Sequence, residues 1–183
     1  MELVGIDCEI LVTDVDEPIT GDAETLVREL SMRKNQAACD IIKNKGQNEN
    51  CIIISADTLV SINGKVLEKP SSRKDAFAML KMLSGSMHTV YTGVTITKLV
   101  ERSSAQTVFV ESADVFFREL SDDEITAYID TGEPFDKAGA YGVQEKGALL
   151  VEKVHGDFYT VVGLPIMKVG YVLSLLGVDI WKA

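Results

Sequence analysis

The positions of apolar and polar residues predict helices and strands that interleave along the chain. Apolar residues recur with a helical period over Asp22–Lys43 and again over Ser72–Leu83, as in helices that bury one face. The short apolar run Cys51–Ile54 between them is typical of a buried strand. Three further strands are predicted, the last two as antiparallel partners: Glu9–Thr13, Val90–Ile96 and Thr107–Phe117.

The last third of the sequence begins with a helix start signal. Ser121-Asp-Asp-Glu124 matches a capping box, in which the serine and glutamate side chains satisfy free backbone donors, so a helix is predicted from there to about Asp130. Two apolar runs follow, Ala148–Val154 and Phe158–Val162, with a short glycine-containing connection between them. This pattern predicts a β-hairpin.

One apolar stretch, Val161–Val178, is about long enough to cross a membrane. Pro165 and Lys168 interrupt it, and a proline suits the first turn of a helix. We therefore interpret the stretch as a strand end, a turn and a buried helix over Pro165–Leu176, and we expect no membrane partner.

The order of elements indicates the fold class. No internal repeat, low-complexity tract or long linker divides the sequence, so one domain is predicted over residues 1–183. Helices and strands interleave without a strict βαβ repeat. This favours an α/β fold, namely a three-layer domain with a mixed β-sheet flanked by helices.

Composition narrows the partners and the compartment. Eighteen basic and twenty-eight acidic side chains give a formal net charge of −10, and a field of that sign repels phosphate polymers, so nucleic acid is not expected as a partner. Cys8, Cys39 and Cys51 are odd in number and lack CxxC spacing, which indicates neither a disulfide framework nor a zinc site. Because no secretory signal stands at the start, a cytoplasmic location is predicted.

Three charged residues stand at positions that suggest a ligand cleft. Lys34 falls on the helix face that should be buried, either with its stem along apolar surface and its ammonium in water or as a cation aimed into a cleft. Asp57 follows the apolar run, so it is placed at the carboxyl end of a strand, as a turn residue or as part of a ligand crevice. An Asn63-Gly64 turn then directs Lys69 back towards Asp57.

Two further segments carry candidate chemistry. Asp14, Asp16 and Glu17 form an acidic cluster that suits Mg²⁺ or Mn²⁺, or else a solvated loop. In Asp136–Gln144, glycines allow close backbone approach, and the Gln144 amide can both donate to and accept from a base edge. The sequence lacks the phosphate-binding GxxxxGK[ST] and GxGxxG patterns, and its two histidines do not form an HExxH motif.

An ordered set of motifs resembles one family, from about Met1 to Gly177. The motifs are Ser55-Ala-Asp-Thr58, Leu67-Glu-Lys-Pro70, Met79-Leu-Lys-Met-Leu-Ser-Gly85 with His88, Thr92-Gly93, Asp136-Lys-Ala-Gly-Ala-Tyr-Gly-Val-Gln144 and Val162-Gly-Leu-Pro165. Together they resemble the Maf family of nucleoside triphosphate pyrophosphatases. The resemblance implies a fold similar to that of inosine triphosphate pyrophosphatases. It also implies metal-dependent hydrolysis of a nucleoside triphosphate to the monophosphate and pyrophosphate.

The resemblance also implies roles for single residues. Asp57 matches the family's proton acceptor, and three residues match polar groups of its cleft: Lys34, Lys69 and Glu17. Glu17 is the expected metal ligand, with Mg²⁺ or Mn²⁺ as the cofactor. Thr58 and Gln144 match specificity positions of the branch acting on dTTP and UTP. His88 is interpreted as structural, and a homodimer is left open.

The resemblance has one departure, at the start. The family opens with a strand and a Ser-x-Ser-Pro-Arg-Arg loop before a helix, whereas this sequence opens at Met1-Glu-Leu-Val-Gly5, which resembles that helix. Because those arginines contact the triphosphate in the family, we expect the sequence as printed to bind it more weakly. Two alternatives stay open: a nucleotide-binding regulator of cell division without turnover, and a pyrophosphatase for non-standard purine or modified nucleotides.

Overall fold

The computed structural model describes residues 1, 4–15, 21–44, 50–100 and 103–182. These residues form five helices and a five-stranded sheet, with three short 3₁₀ turns before the last strand. The helices are α1 (Ala23–Asn44), α2 (Arg73–Leu83), α3 (Asp122–Asp130), α4 (Phe158–Val162) and α5 (Ile166–Leu175). The strands are β1 (Cys51–Ile62), β2 (Lys65–Leu67), β3 (Met87–Val100), β4 (Ser103–Phe117) and β5 (Val151–His155).

The sheet has the order β2-β1-β3-β4-β5, and every pair of neighbouring strands in the described residues is antiparallel. The α/β architecture predicted from the sequence is confirmed, but these pairs do not make the mixed sheet that was expected. The reason is that successive strands are joined by hairpins or return from the opposite end of the sheet. The longest contact of β1 is its ladder with β3, which runs without a break from Cys51 opposite Leu99 to Ser61 opposite Thr89.

Three layers result because side chains alternate between the two faces of each strand. On one face, α1 packs against the sheet around Val27, Leu30 and Leu59. On the other face, α2 and α3 bury one group of apolar side chains, and α5 buries another around Val94 and Val169. The cores on the two faces therefore share the sheet and place β1 between α1 and the other helices.

Several local predictions hold because their signals are strong. Asp22 accepts a hydrogen bond from the Thr25 amide at the start of α1. Ser72 accepts one from the Asp75 amide at the start of α2. The predicted capping box of α3 is confirmed, since Ser121 and Glu124 each bond the other's backbone amide. The predicted pairing of β3 with β4 is confirmed as well.

Three local predictions are wrong. Residues 6–15 have no regular secondary structure, so Glu9–Thr13 is not a strand. The strand predicted over Cys51–Ile54 is longer than expected, since β1 continues to Ile62. The predicted second strand of the hairpin, Phe158–Val162, is helix α4, because Asp157 caps its first turn by accepting from the Tyr159 amide.

The apolar stretch over Val161–Val178 is divided in the structure. Residues around Gly163 and Pro165 separate α4 from α5, and the buried side of α5 packs on the sheet. Within the described ranges, no helix combines the length and the apolar character needed to span a bilayer.

Candidate active site

Four of the residues singled out in the sequence line one cavity beside β1. The cavity has a volume of about 430 Å³ and is bounded by β1, by the segment after β2 and by the turns between α3 and β5. Its wall includes Asp57, Thr58, Lys69 and Gln144. Among the described strands, β2 pairs with β1 only over residues 60–62, so residues 56–58 of β1, which line the cavity, have a partner strand on one edge only.

Asp57 forms an ion pair with Lys34 of α1. Lys34 lines an adjoining cavity of about 840 Å³, and Ala56 belongs to the walls of both cavities. The side chains of Lys34 and Asp57 are 25% and 10% exposed, so their charges are screened less than those of a surface pair. Of the two interpretations of Lys34, the structure therefore favours a cation directed into a cleft.

The position of Asp57 in its strand differs from the prediction. Asp57 lies in the middle of β1, not at its carboxyl end. The strand continues because the residues after Asp57 still alternate between the two cores and still pair with β3. The Asn63-Gly64 turn has positive φ at both residues, as hairpin turns of two residues require. It returns the chain through β2, so Lys69 reaches the cavity that Asp57 lines, as predicted.

A buried polar network lies next to this ion pair and joins α1 to the sheet. Asn35 donates to the carbonyl oxygens of Ile53 at 3.2 Å and of Thr95 at 3.0 Å. The Asn35 amide oxygen accepts from the Thr97 hydroxyl at 2.5 Å. A shift of α1 along the sheet would leave these buried groups without partners, at a cost of about 1–3 kcal/mol for each group. The network therefore fixes the position of Lys34, the residue before Asn35.

Gly93 allows α1 to approach the sheet closely at the same place. Gly93 is the partner of Asp57 on β3. A Cβ atom at Gly93 would lie 2.2 Å from the carbonyl oxygen of Val27 and 2.4 Å from its carbonyl carbon. Because both contacts are with helix backbone, any side chain here would force α1 away from the sheet.

Thr58 projects to the opposite face of β1 from Asp57. Its hydroxyl oxygen lies 2.9 Å from that of Thr92 on β3, and the Thr92 hydroxyl donates to the Thr160 carbonyl oxygen at 2.7 Å. These bonds tie α4 to the sheet. They also position the cavity wall formed by Val161 and Val162, directly after Thr160.

The 3₁₀ turns between α3 and β5 bring the remaining cavity residues together. The turns cover Glu133–Asp136, Ala138–Ala140 and Glu145–Leu149. The Gly139 amide donates to the Glu68 carbonyl oxygen at 3.0 Å, which holds the chain before Lys69 against these turns. Gln144 precedes the last turn and is exposed at the cavity.

Lys137 also lines the cavity, although the sequence analysis did not single it out. Its ammonium donates to the Asp136 carboxylate at 2.7 Å. This bond, with a smaller contribution from the charge of Lys69, lowers the pKa of Asp136. Lys69 and Lys137 therefore offset the charge of the acidic residues in the same wall, which an anionic ligand requires in a protein whose net charge is −10. The only sequence signal for Lys137 was its place in the Asp136–Gln144 motif.

Tyr141 contributes to the wall of the cavity and is held by His88. The His88 Nε2 atom lies 2.7 Å from the Tyr141 hydroxyl oxygen, and both rings contact Phe117 edge to face. Burial lowers the pKa of His88 to about 4 and raises the pKa of Tyr141. Both side chains are therefore neutral near pH 7, which agrees with the interpretation of His88 as structural.

The structure thus brings five of the six predicted site residues to one region. Asp57, Thr58, Lys69 and Gln144 line the first cavity, and Lys34 reaches it through Asp57. Glu17, the sixth, lies outside the described residues, so its predicted contact with a metal stays a prediction. What unites the five is an ion pair beside a cavity whose wall includes a lysine and two hydrogen-bonding side chains.

The chain belongs to the Maf-like protein family, whose pattern matches residues 1–176. It is 53% identical to a protein of Thermosipho melanesiensis over 94% of this chain and 88% of that protein. A protein of Caldicellulosiruptor saccharolyticus is 44% identical over 97% of this chain and 88% of its own length. Both relatives are named dTTP/UTP pyrophosphatase.

Membership in this family suggests a divalent metal. In the part of the chain that the structure describes, no three His, Cys, Asp or Glu side chains lie close enough to hold an ion. This arrangement still suits a cation bound together with a triphosphate, because Mg²⁺ is usually held by one or two carboxylates, waters and substrate phosphates. Asp57 lines the cavity and has a carboxylate, which is a hard oxygen donor of the required kind.

Proposed function

We propose that this chain, as one domain over residues 1–183, hydrolyses nucleoside triphosphates to the monophosphate and pyrophosphate and favours dTTP and UTP. The observation that carries the proposal is the Asp57–Lys34 ion pair at the cavity that Thr58 and Gln144 line. The names of the relatives, which share up to 53% of their residues with this chain, support the same activity.

Asp57 acts in this proposal as the general base. Its carboxylate takes a proton from a water molecule, whose oxygen attacks the α phosphorus. The bond between the α phosphorus and the bridging oxygen then breaks, and pyrophosphate leaves with the electron pair of that bond. Lys34 orients the carboxylate through the ion pair, so the base is held in place before the substrate binds.

Lysines balance the charge that the phosphates bring. Lys69 and Lys137 line the cavity that Asp57 also lines, so their ammonium groups can approach the phosphate chain. Charge-assisted contacts of this kind stabilise both the bound triphosphate and the negative charge on the leaving pyrophosphate.

We propose Mg²⁺ or Mn²⁺ as the bound metal. When bound, the ion makes the phosphorus more electrophilic and offsets phosphate charge. Asp57 is the described residue that would help to hold it, and Glu17 is proposed to contribute a second carboxylate. The proposed cytoplasmic location and the homodimer rest on no structural observation and stay predictions.

Product analysis tests this proposal. The purified chain with Mg²⁺ or Mn²⁺ is expected to release pyrophosphate from UTP and dTTP, and chelation is expected to stop the release. Orthophosphate as the first product, or equal rates with all eight common nucleoside triphosphates, would contradict it. Binding of UTP without any release of pyrophosphate would favour a nucleotide-binding regulator of cell division. A preference for inosine or xanthosine triphosphate would favour a pyrophosphatase for non-standard purine nucleotides.

A further inference from the structure

The hydrogen bonds between Thr58, Thr92 and Thr160 have only one possible direction. A carbonyl oxygen can only accept, so the Thr92 hydroxyl must donate to the Thr160 carbonyl oxygen across their 2.7 Å contact. A hydroxyl group has a single hydrogen. Thr92 therefore has none left for Thr58, and in the 2.9 Å contact between the two hydroxyls Thr58 must be the donor.

This direction determines what Thr58 offers to a ligand. Its one hydrogen is directed at Thr92, so to any ligand group that reaches it the Thr58 oxygen presents only lone pairs. Thr92 and Thr160 have no exposed surface, which keeps water from replacing either bond. Thr58 in the cavity wall is thus a fixed acceptor, although a threonine hydroxyl can in general also donate.

We propose that Thr92 is a positioning residue that, through Thr58, selects bases with a hydrogen on ring nitrogen N3. This inference rests on the proposed function and deepens it. Uracil and thymine, attached to the sugar through N1, have a single N–H group, at N3, so an acceptor in contact with the base can bind only there. Cytosine has no hydrogen at N3 and places a lone pair against the Thr58 oxygen, which is repulsive; its donors are on the exocyclic N4 group, so the base must shift to pair with Thr58.

The variant Thr92→Val tests the direction of the bonds while keeping the shape of the side chain. Valine cannot accept from Thr58, so the Thr58 hydroxyl is freed to turn and donate to N3 of cytosine. We expect the ratio of kcat/KM for UTP to that for CTP to fall by about tenfold, the effect of one hydrogen bond between neutral groups. Because both substrates are measured on one preparation, partial unfolding of the variant does not change this ratio.

Two controls separate positioning from a structural role. Thr92→Ser keeps the hydroxyl and is expected to keep the UTP/CTP ratio of the unmodified chain, whereas a role in packing alone would leave the ratio unchanged in valine, which has the shape of threonine, and change it in serine. In a Thr58→Val background, Thr92→Val is expected to cause no further change in the ratio, since the proposed effect passes through the Thr58 oxygen.

The outcomes also separate this inference from the proposed function. If the unmodified chain releases no pyrophosphate from UTP, the proposed function is wrong. If it does so and Thr92→Val leaves the UTP/CTP ratio unchanged, the function stands and the inference is overturned. A fall in the ratio that persists in the Thr58→Val background would also overturn it, because Thr92 would then act by another route.

Discussion

Asp57 and Thr58 are neighbours in the chain, yet they face two very different regions of the molecule. On the Asp57 side, one long helix lies directly on the sheet, held by Asn35 and brought close by Gly93. On the Thr58 side, the cavity is built largely from short 3₁₀ turns, and Gln144 is exposed. The proposed chemistry thus depends on regular, buried elements, whereas the proposed recognition depends on turns.

This difference shows how β1 can take part in both the proposed chemistry and the proposed recognition of the base. Turns tolerate changes of sequence more readily than a helix packed on a sheet, so the recognition side can change while the catalytic side is retained. Substitutions on the Asp57 side should therefore alter turnover or stability. Substitutions on the Thr58 side should alter the choice of substrate or KM.

The largest effect is expected from Asp57→Asn, which removes the base and keeps the size of the side chain. Turnover of UTP should fall by roughly 10² to 10⁴, the range for loss of a general base. UTP binding by titration calorimetry without the metal should change little, and the melting temperature should fall only modestly, because the asparagine oxygen can still accept a hydrogen bond from Lys34. A variant that melts early but keeps its turnover per folded molecule would show that Asp57 is a structural residue.

Gly93→Ala should break the close packing of α1 on the sheet. The new methyl group would lie within 2.4 Å of two backbone atoms of Val27, and overpacking of this kind costs about 3 kcal/mol at the upper end of its usual range. Urea denaturation should show this loss, and turnover should fall because Lys34 moves relative to Asp57.

Gly170→Ala is the matched control for that experiment. A Cβ atom at Gly170 would meet only the Ile180 side chain, at an ordinary 3.5 Å. Alanine is also the better helix former, so this variant should keep or raise stability. Equal losses of stability in the two variants would show that the close approach of α1 at Gly93 does not matter.

On the recognition side, His88 should make stability depend on pH. Burial lowers its pKa to about 4 in the folded chain, whereas an unfolded histidine titrates near pH 6.5. Between these values the unfolded chain binds a proton that the folded chain does not, so stability falls as pH falls from about 6.5 to 4. The resulting loss in the free energy of unfolding reaches at most about 3 kcal/mol.

His88→Gln isolates this contribution, because carboxylates titrate in both proteins. The advantage in melting temperature of the unmodified chain over the variant should shrink as pH is lowered from 7.5 to 4.5. A constant difference across this interval would mean that His88 is protonated equally in the folded and unfolded chains.

The smallest effect is expected from Gln144→Leu. The exposed amide is proposed to contact the base, so its loss should raise KM for UTP by up to about tenfold, the effect of one hydrogen bond, with little change in kcat. Lys146→Gln, a nearby exposed position outside the cavity wall, should leave both constants unchanged. A fall in kcat with KM unchanged would place Gln144 with the chemistry instead.

The sequence predicted those elements whose signals are local. Apolar periodicity and the Ser121–Glu124 capping box were sufficient for α1, α2 and α3, since a helix is defined by contacts within a few residues. The end of β1 was missed because Ser55 and Asp57 break the apolar run, although pairing with β3 carries the strand on to Ile62. Phe158–Val162 was missed because its β-branched residues favour a strand locally, whereas capping by Asp157 and packing on the sheet make it helical.

Single residues of the candidate site could be predicted from the sequence, but most of their contacts could not. Lys34 was anomalous on its helix face, and Lys69 could be placed by the turn before it. The identity of the partner of Lys34 depends on how α1 crosses β1, which no local pattern contains. The same holds for Thr92, whose buried bond to Thr160 joins positions that lie 68 residues apart.

The unbroken ladder between β1 and β3 also limits how this gene can change in length. Inserting or deleting one codon between Cys51 and Asp57 would turn every following side chain of β1 to the other face, if the ladder re-formed after it. The carboxylate would then turn away from Lys34 to the face that Thr58 now occupies, and the threonine would face Lys34. Such a change would exchange the two roles even though every residue named in the site is still encoded. Length changes in this family should therefore collect in the connections between elements and spare β1.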